Sequence, residues 1–187
     1  MSNLINGMIE RRSVREYLDK PVPLDTLELI VKAGAHAPSS MNTQPWHFTV
    51  IQNAERITRV TETLKAAASA EGVPDFLAKF VSEPTYTVNY GAPVFIIISG
   101  DRSRSLSVND CTLAAGNMML AAYALGLGSC WINQPSVVTN VPKFRALLTE
   151  LGVPPEYDVY ACLCLGFPAK TLPLAAKRRA DVVNYID

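Results

Sequence analysis

The stretch CTLAAGNMMLAAYALGLGSCWI, residues 111–132, contains no charged side chain. About twenty such residues are enough to span a bilayer. Asn117 stands in the middle of the run, with Gly116, Gly126 and Gly128 alongside. An amide in hydrocarbon is costly, and a helix apolar on every side is also the mark of one buried in a protein core. The run therefore reads as a fully buried helix over residues 108–125, closed by glycines and followed by a short strand over 128–132.

The flanking sequence supplies partners for such a helix. PVFIIIS (93–99) and DVYACLCL (158–165) are apolar, β-branched runs and read as buried strands. Residues 47–52 read as another strand. Leu24, Leu27, Ile30 and Val31 recur at helical spacing as far as Gly34. Residues 54–70 are good helix formers stopped by Gly72 and Pro74, and Pro142 opens a helix running to Leu151. A short helix is expected over 4–12, capped by Ser2 or Asn3. Residues 75–89 read as irregular, 166–179 as a cationic tail and 182–186 as a short helix. No repeat or linker interrupts the pattern, so residues 1–187 read as one α+β domain.

Lys and Arg number 17, as do Asp and Glu, which argues against a nucleic-acid binder. The four cysteines, Cys111, Cys130, Cys162 and Cys164, form no CxxC pair, and Cys162 and Cys164, in an apolar run, read as buried small hydrophobes. No metal-binding spacing appears. Charged residues by position 12 leave no apolar leader, and a reducing, cytoplasmic setting is expected.

Four constellations carry possible chemistry. Arg11, Arg12, Ser13 and Arg15 put three guanidiniums and a hydroxyl within five residues. Arginine suits bidentate phosphate contact, whereas a charge run by itself is more often a solvated face. Lys177, Arg178 and Arg179 form a second cluster; if the fold joined the two, they would make one anion site. Pro38, Ser39, Ser40, Asn42 and Gln44 lie in a loop of hydroxyls and amides, suited either to reading a polar ring edge or to satisfying its own backbone. Glycines 126 and 128 precede Trp131, Ile132 and Asn133, where backbone could approach a flat ligand, or could simply turn. The two histidines, His36 and His47, have no acidic partner between them. A candidate anion site without an acid–base pair points to a cofactor that brings its own chemistry.

Taken together, RRSVR at 11–15, APSSMNTQPWHF at 37–48, LGLGSCWIN at 125–133, LGFPAK at 165–170 and the KRR tail resemble the nitroreductase family of flavoproteins along nearly the whole chain. The resemblance implies an α+β fold with a mostly antiparallel central sheet flanked by helices. It also implies an intertwined homodimer with FMN at the interface and the 108–125 helix in the dimer core. It places Arg11, Arg12, Ser13 and Arg15 on the FMN phosphate and ring edge, and Lys177 and Arg179 on the phosphate. Pro38, Ser39, Ser40 and Asn42 would reach the flavin from the other subunit, with Gln44 holding that loop. Backbone at Trp131, Ile132 and Asn133 would approach the reactive edge. No catalytic side chain is implied, because the chemistry resides at N5 of FMN. The implied activity is a ping-pong oxidoreductase, with NADH or NADPH as donor and a nitroaromatic, quinone or activated alkene as acceptor. An oxygen-using flavin enzyme or a non-catalytic FMN store or sensor would share these motifs. The lid segment, residues 61–89, matches nothing in that pattern, and Asn133-Gln134 stands where larger members have an acidic residue and glycine.

Overall fold

The computed structural model describes residues 3–186; the cap expected at Ser2 lies outside them. Two antiparallel strands form the centre of the sheet, β2 (Val94–Asp101) and β4 (Tyr157–Gly166). Strand β1 (Trp46–Ile51) adds to β2, and β3 (Gly128–Ile132) adds to β4, giving the order β1-β2-β4-β3 with every ladder antiparallel. The helices are α1 (Asn3–Glu10), α2 (Leu24–Ala35), α3 (Ala54–Ala67), α4 (Asp75–Val81), α5 (Ser107–Ala124), α6 (Gln134–Val137) and α7 (Pro142–Glu150). The antiparallel α+β architecture matches the expectation.

The central strands read as continuous apolar runs because both faces of the sheet are covered. Side chains alternate along a strand. Phe95, Ile97, Cys162 and Cys164 enter one core with Ile57, Val60 and Leu64 of α3 and Phe144 and Leu148 of α7. Val94, Ile96, Ile98, Ala161 and Leu163 enter the other, with Leu27 and Ile30 of α2 and Cys111, Ala115 and Met118 of α5. Helix α2 approaches α5 closely at Gly34, where a methyl group would meet the Met118 side chain.

Helix α5 departs from the expectation of burial on every side. Within one chain Cys111, Ala114, Ala115, Met118 and Ala122 are buried, while Leu113 and Val108 are about half exposed. Asn117 explains part of the chargeless pattern, since its amide donates to the Ala33 carbonyl at 3.2 Å. Among the described residues no helix is long and apolar enough to cross a membrane.

Two other expectations fail. Residues 75–81 form α4 rather than irregular chain: Pro74 opens the helix, and Leu77 and Val81 pack inward, but seven residues are too few to show a period. Residues 182–186 form no helix; Val182, Tyr185 and Ile186 lie exposed with no surface beneath them to favour a helical face.

Candidate functional site

Residues 11–15 leave α1 and run beside the β3 edge. Ser13 forms a parallel bridge with Ser129, and the Val14 amide donates to the Ser129 carbonyl at 3.0 Å. Gly128 makes this approach possible: a Cβ there would sit 2.6 Å from a Val14 methyl. The Tyr17 hydroxyl fixes the far side by donating to the Val14 carbonyl at 2.6 Å. The cation motif and the glycine-flanked strand motif therefore form one structural unit.

Not all the cations face the same task. The Arg12 guanidinium turns back onto α1 and donates from Nη1 to the carbonyls of Ile9 (2.8 Å) and Arg11 (2.7 Å). It ties off the helix C-terminus, a role cations favour there. Arg11 Nη1 and the Ser129 hydroxyl are buried without a hydrogen-bond partner. Buried donors in this state call for an acceptor. The Arg15 guanidinium lies 5.7 Å from the centre of the Tyr90 ring, within cation–π range. Tyr90 adopts φ +53°, a strained value for a bulky residue, immediately before Gly91 at φ +72°. Asn89, buried, holds this turn by donating to the Ala92 carbonyl at 2.6 Å.

The loop at 37–45 is a second strained segment: Met41, Asn42 and Gln44 all have φ near +50°. Ser39 Oγ accepts from the Gln44 amide at 3.0 Å, and Gln44 Nε2 donates to Asn42 Oδ1 at 3.2 Å. The Ser40 amide donates to the buried Asp110 carboxylate on α5 at 3.1 Å. Part of the loop's polar inventory is thus spent on its own shape. Pro38 and Asn42 stay exposed.

This loop and the cation segment occupy opposite corners of the sheet. The loop feeds Trp46, which pairs with Gly100 at one end of β1, an edge strand. Ser129 lies on the other edge strand, opposite Leu165, which pairs with Val94. The separation is three strand spacings, roughly 14 Å, across the sheet and about 20 Å along it. One chain cannot join them.

Trp131 and Ile132 continue β3 beyond the contact with Ser13, and Asn133 accepts from the Ser136 hydroxyl at 2.6 Å as α6 begins. In the tail, Arg179 pairs with Asp181 at 2.9 Å. Among the described residues no hydrogen bond or ion pair joins Lys177 or Arg179 to residues 11–15, so one chain does not assemble the two cation clusters. His36 closes α2, its Nδ1 lying 2.7 Å from the Lys32 carbonyl. Sequence reasoning missed Tyr90 and Asp110: each acts through a tertiary contact that leaves no local pattern. A cleft of about 600 Å³ lies between α3 and residues 84–93, lined by Thr58, Thr61, Lys65 and Tyr86 among others.

The chain matches the description "Nitroreductase family" over residues 8–167. A nitroreductase from Bacteroides fragilis, whose crystal structure has bound FMN, superposes with a TM-score of 0.94 at 36% identity, covering 100% of both chains. A nitrobenzene nitroreductase of Ectopseudomonas oleovorans is 30% identical over 92% of this chain and 90% of its own. An NAD(P)H-linked FMN reductase of Bacillus subtilis is 28% identical over 99% of this chain and 74% of its own. The chain belongs to the nitroreductase family.

Proposed function

We propose that the chain is an FMN-dependent oxidoreductase, a cytoplasmic homodimer that uses NADH or NADPH to reduce nitroaromatics, quinones or activated alkenes. The observation that carries this reading is the unit formed by residues 11–15 and β3, whose buried Arg11 and Ser129 donors lack acceptors. A flavin phosphate and its polar ring edge offer such acceptors, so the residues present fit the group. The names of the FMN-bound and FMN-reducing relatives support the same cofactor.

FMN, when bound, supplies two-electron transfer at N5, which no side chain here provides. The protein binds and orients. Arg11 and Ser13 are assigned to the phosphate, with Lys177 and Arg179 closing on it. Arg15, steadied by Tyr90, faces the pyrimidine edge and stabilises negative charge there. Backbone at Trp131, Ile132 and Asn133 lines the reactive edge. Because one chain holds the Pro38–Gln44 loop at the opposite corner, Pro38, Ser39, Ser40 and Asn42 of a second copy complete the site. The outward side of α5, with Leu113 and Val108, then lies at the subunit interface.

The visible spectrum of the purified protein tests this reading. Expected are a flavin band near 450 nm (typical of any oxidised flavin), its bleaching by NADH or NADPH, and recovery with a quinone in ping-pong kinetics. Protein that is colourless and takes up no added FMN rules the reading out; bound flavin that no nicotinamide reduces leaves a storage protein.

A further inference from the structure

Cys130 and Cys164 are register partners on β3 and β4. Both enter the same core, on the face of the sheet that packs against Tyr17, α3 and α7. Directly opposed residues of an antiparallel ladder have Cα atoms about 4.5–5.5 Å apart, inside the range a disulfide spans. The Cys164 thiol approaches the Cys130 carbonyl at 3.7 Å, and its sulfur lies 3.3 Å from the Tyr17 hydroxyl. The fold thus sets two free thiols face to face under the cation segment.

We propose that this pair is an oxidisable dithiol, which hydrogen peroxide converts to a cross-strand disulfide. The Cys130 thiolate attacks one peroxide oxygen, the O–O bond breaks, and a sulfenic acid forms with loss of hydroxide, which takes up a proton as water. Cys164 sulfur then attacks the Cys130 sulfur, the S–OH bond breaks, and a second water leaves. The two sulfurs are oxidised by two electrons in total and one peroxide is reduced to two waters.

The surroundings favour Cys130 as the attacking sulfur. The Cys164 thiol hydrogen-bonds to it, and Arg15, Ser13 and Arg11 stabilise its anion against the cost of burial, drawing it down to about 7. Thiolate, not thiol, is the nucleophile. The hydrogen bond with Cys130, then burial, raises Cys164; burial raises Cys162 and pushes Cys111 up to about 12, so these stay protonated. Cys130 itself is buried, but Ser13 and Arg15 beside it are exposed, and peroxide is little larger than water. The burial read for Cys162 and Cys164 is what the structure shows, and the proposal adds a chemistry to the second of them. The pair shares Arg11, Ser13 and Arg15 with the proposed flavin site, but a disulfide and a flavin band are read by separate measurements, so failure of the link leaves the proposed function standing.

The test treats the purified protein with excess hydrogen peroxide, then counts thiols under denaturing conditions and maps linked peptides by mass spectrometry. Expected are a fall from four thiols to two, a single Cys130–Cys164 link, and full recovery with dithiothreitol. In Cys164→Ser the link is absent and Cys130 carries added oxygen. Four unchanged thiols in the wild-type chain, a link through Cys111 or Cys162, or a link between two chains overturns the proposal; the wild-type result decides even if the variant does not fold.

Discussion

The Arg15 guanidinium sits over the ring of Tyr90, a residue 75 positions away that holds a left-handed backbone to reach it. Strain kept in place by a buried asparagine and a following glycine indicates that the position of this ring matters. Replacing Tyr90 by Ala removes a cation–π contact of about 0.5–1 kcal/mol, so FMN affinity should fall about two- to fivefold. Tyr90→Phe keeps the ring and should keep most of the affinity. Fluorescence titration of FMN distinguishes them; equal loss in both variants would show that the hydroxyl, not the ring, is what holds Arg15.

Arg15→Ala removes the charge itself. Charge-assisted hydrogen bonds contribute about 1.5–3 kcal/mol, so FMN should bind on the order of ten- to a hundredfold more weakly. Reduction of whatever flavin remains bound should slow in stopped-flow mixing with NADH or NADPH. Wild-type values in both measurements would remove Arg15 from the site.

Gly128→Ala tests the close approach of the cation segment to β3. The new methyl would meet Val14 well inside van der Waals contact, at 2.6 Å. Overpacking of this kind costs about 1–3 kcal/mol. Melting should drop by several degrees, about 2–4 °C for each kcal/mol in a chain of this size. Flavin affinity should fall with it, because Val14 carries Ser13 and Arg15.

Tyr17→Phe probes the same segment from its other side. The Val14 carbonyl loses a 2.6 Å donor, at a cost of about 1 kcal/mol, read by chemical denaturation. The Cys164 sulfur loses its neighbouring hydroxyl in the same substitution.

Cys130 should also reveal itself through pH. Its anion is favoured by Cys164, Arg15, Ser13 and Arg11, with a midpoint of about 7 against an ordinary value of 9.0. The rate of its oxidation by hydrogen peroxide should therefore rise through neutrality and level off before pH 9. The sign for stability follows: the lowered value favours the folded state as pH rises from about 7 to 9, and that gain is lost as pH falls back through 7. Oxidation at Cys130 that climbs only above pH 8.5 would show that the cations do not reach the sulfur.

The parts legible in sequence were those written in local pattern. PVFIIIS and DVYACLCL announced β2 and β4 because both faces of the sheet are buried, and Pro142 marked the start of α7. Helix α4 was illegible because DFLAKFV spans less than two turns of helix. The exposed side of α5 was illegible because apolar composition does not say which of its residues the rest of the chain covers. In the site, RRSVR and LGSCWI were visible as motifs, and their meeting is what the Gly128–Val14 contact brings about. Arg12 shows a second use of the motif: its Nη1 donates to the end of α1, while its Nε is buried without a partner, a division that composition cannot show. Tyr90 and Asp110 left no trace, since each takes its role from a partner 70 or more residues away.

The opposite-corner placement of the Pro38–Gln44 loop and the Arg11–Arg15 segment has a genetic consequence. If each site draws one corner from each subunit, two inactive alleles can complement. Pair a chain damaged at Arg15 with one damaged in the loop. In the mixed dimer one site inherits both lesions and the other inherits neither, so co-expression restores up to half of the normal activity per mixed dimer from two parents that have none.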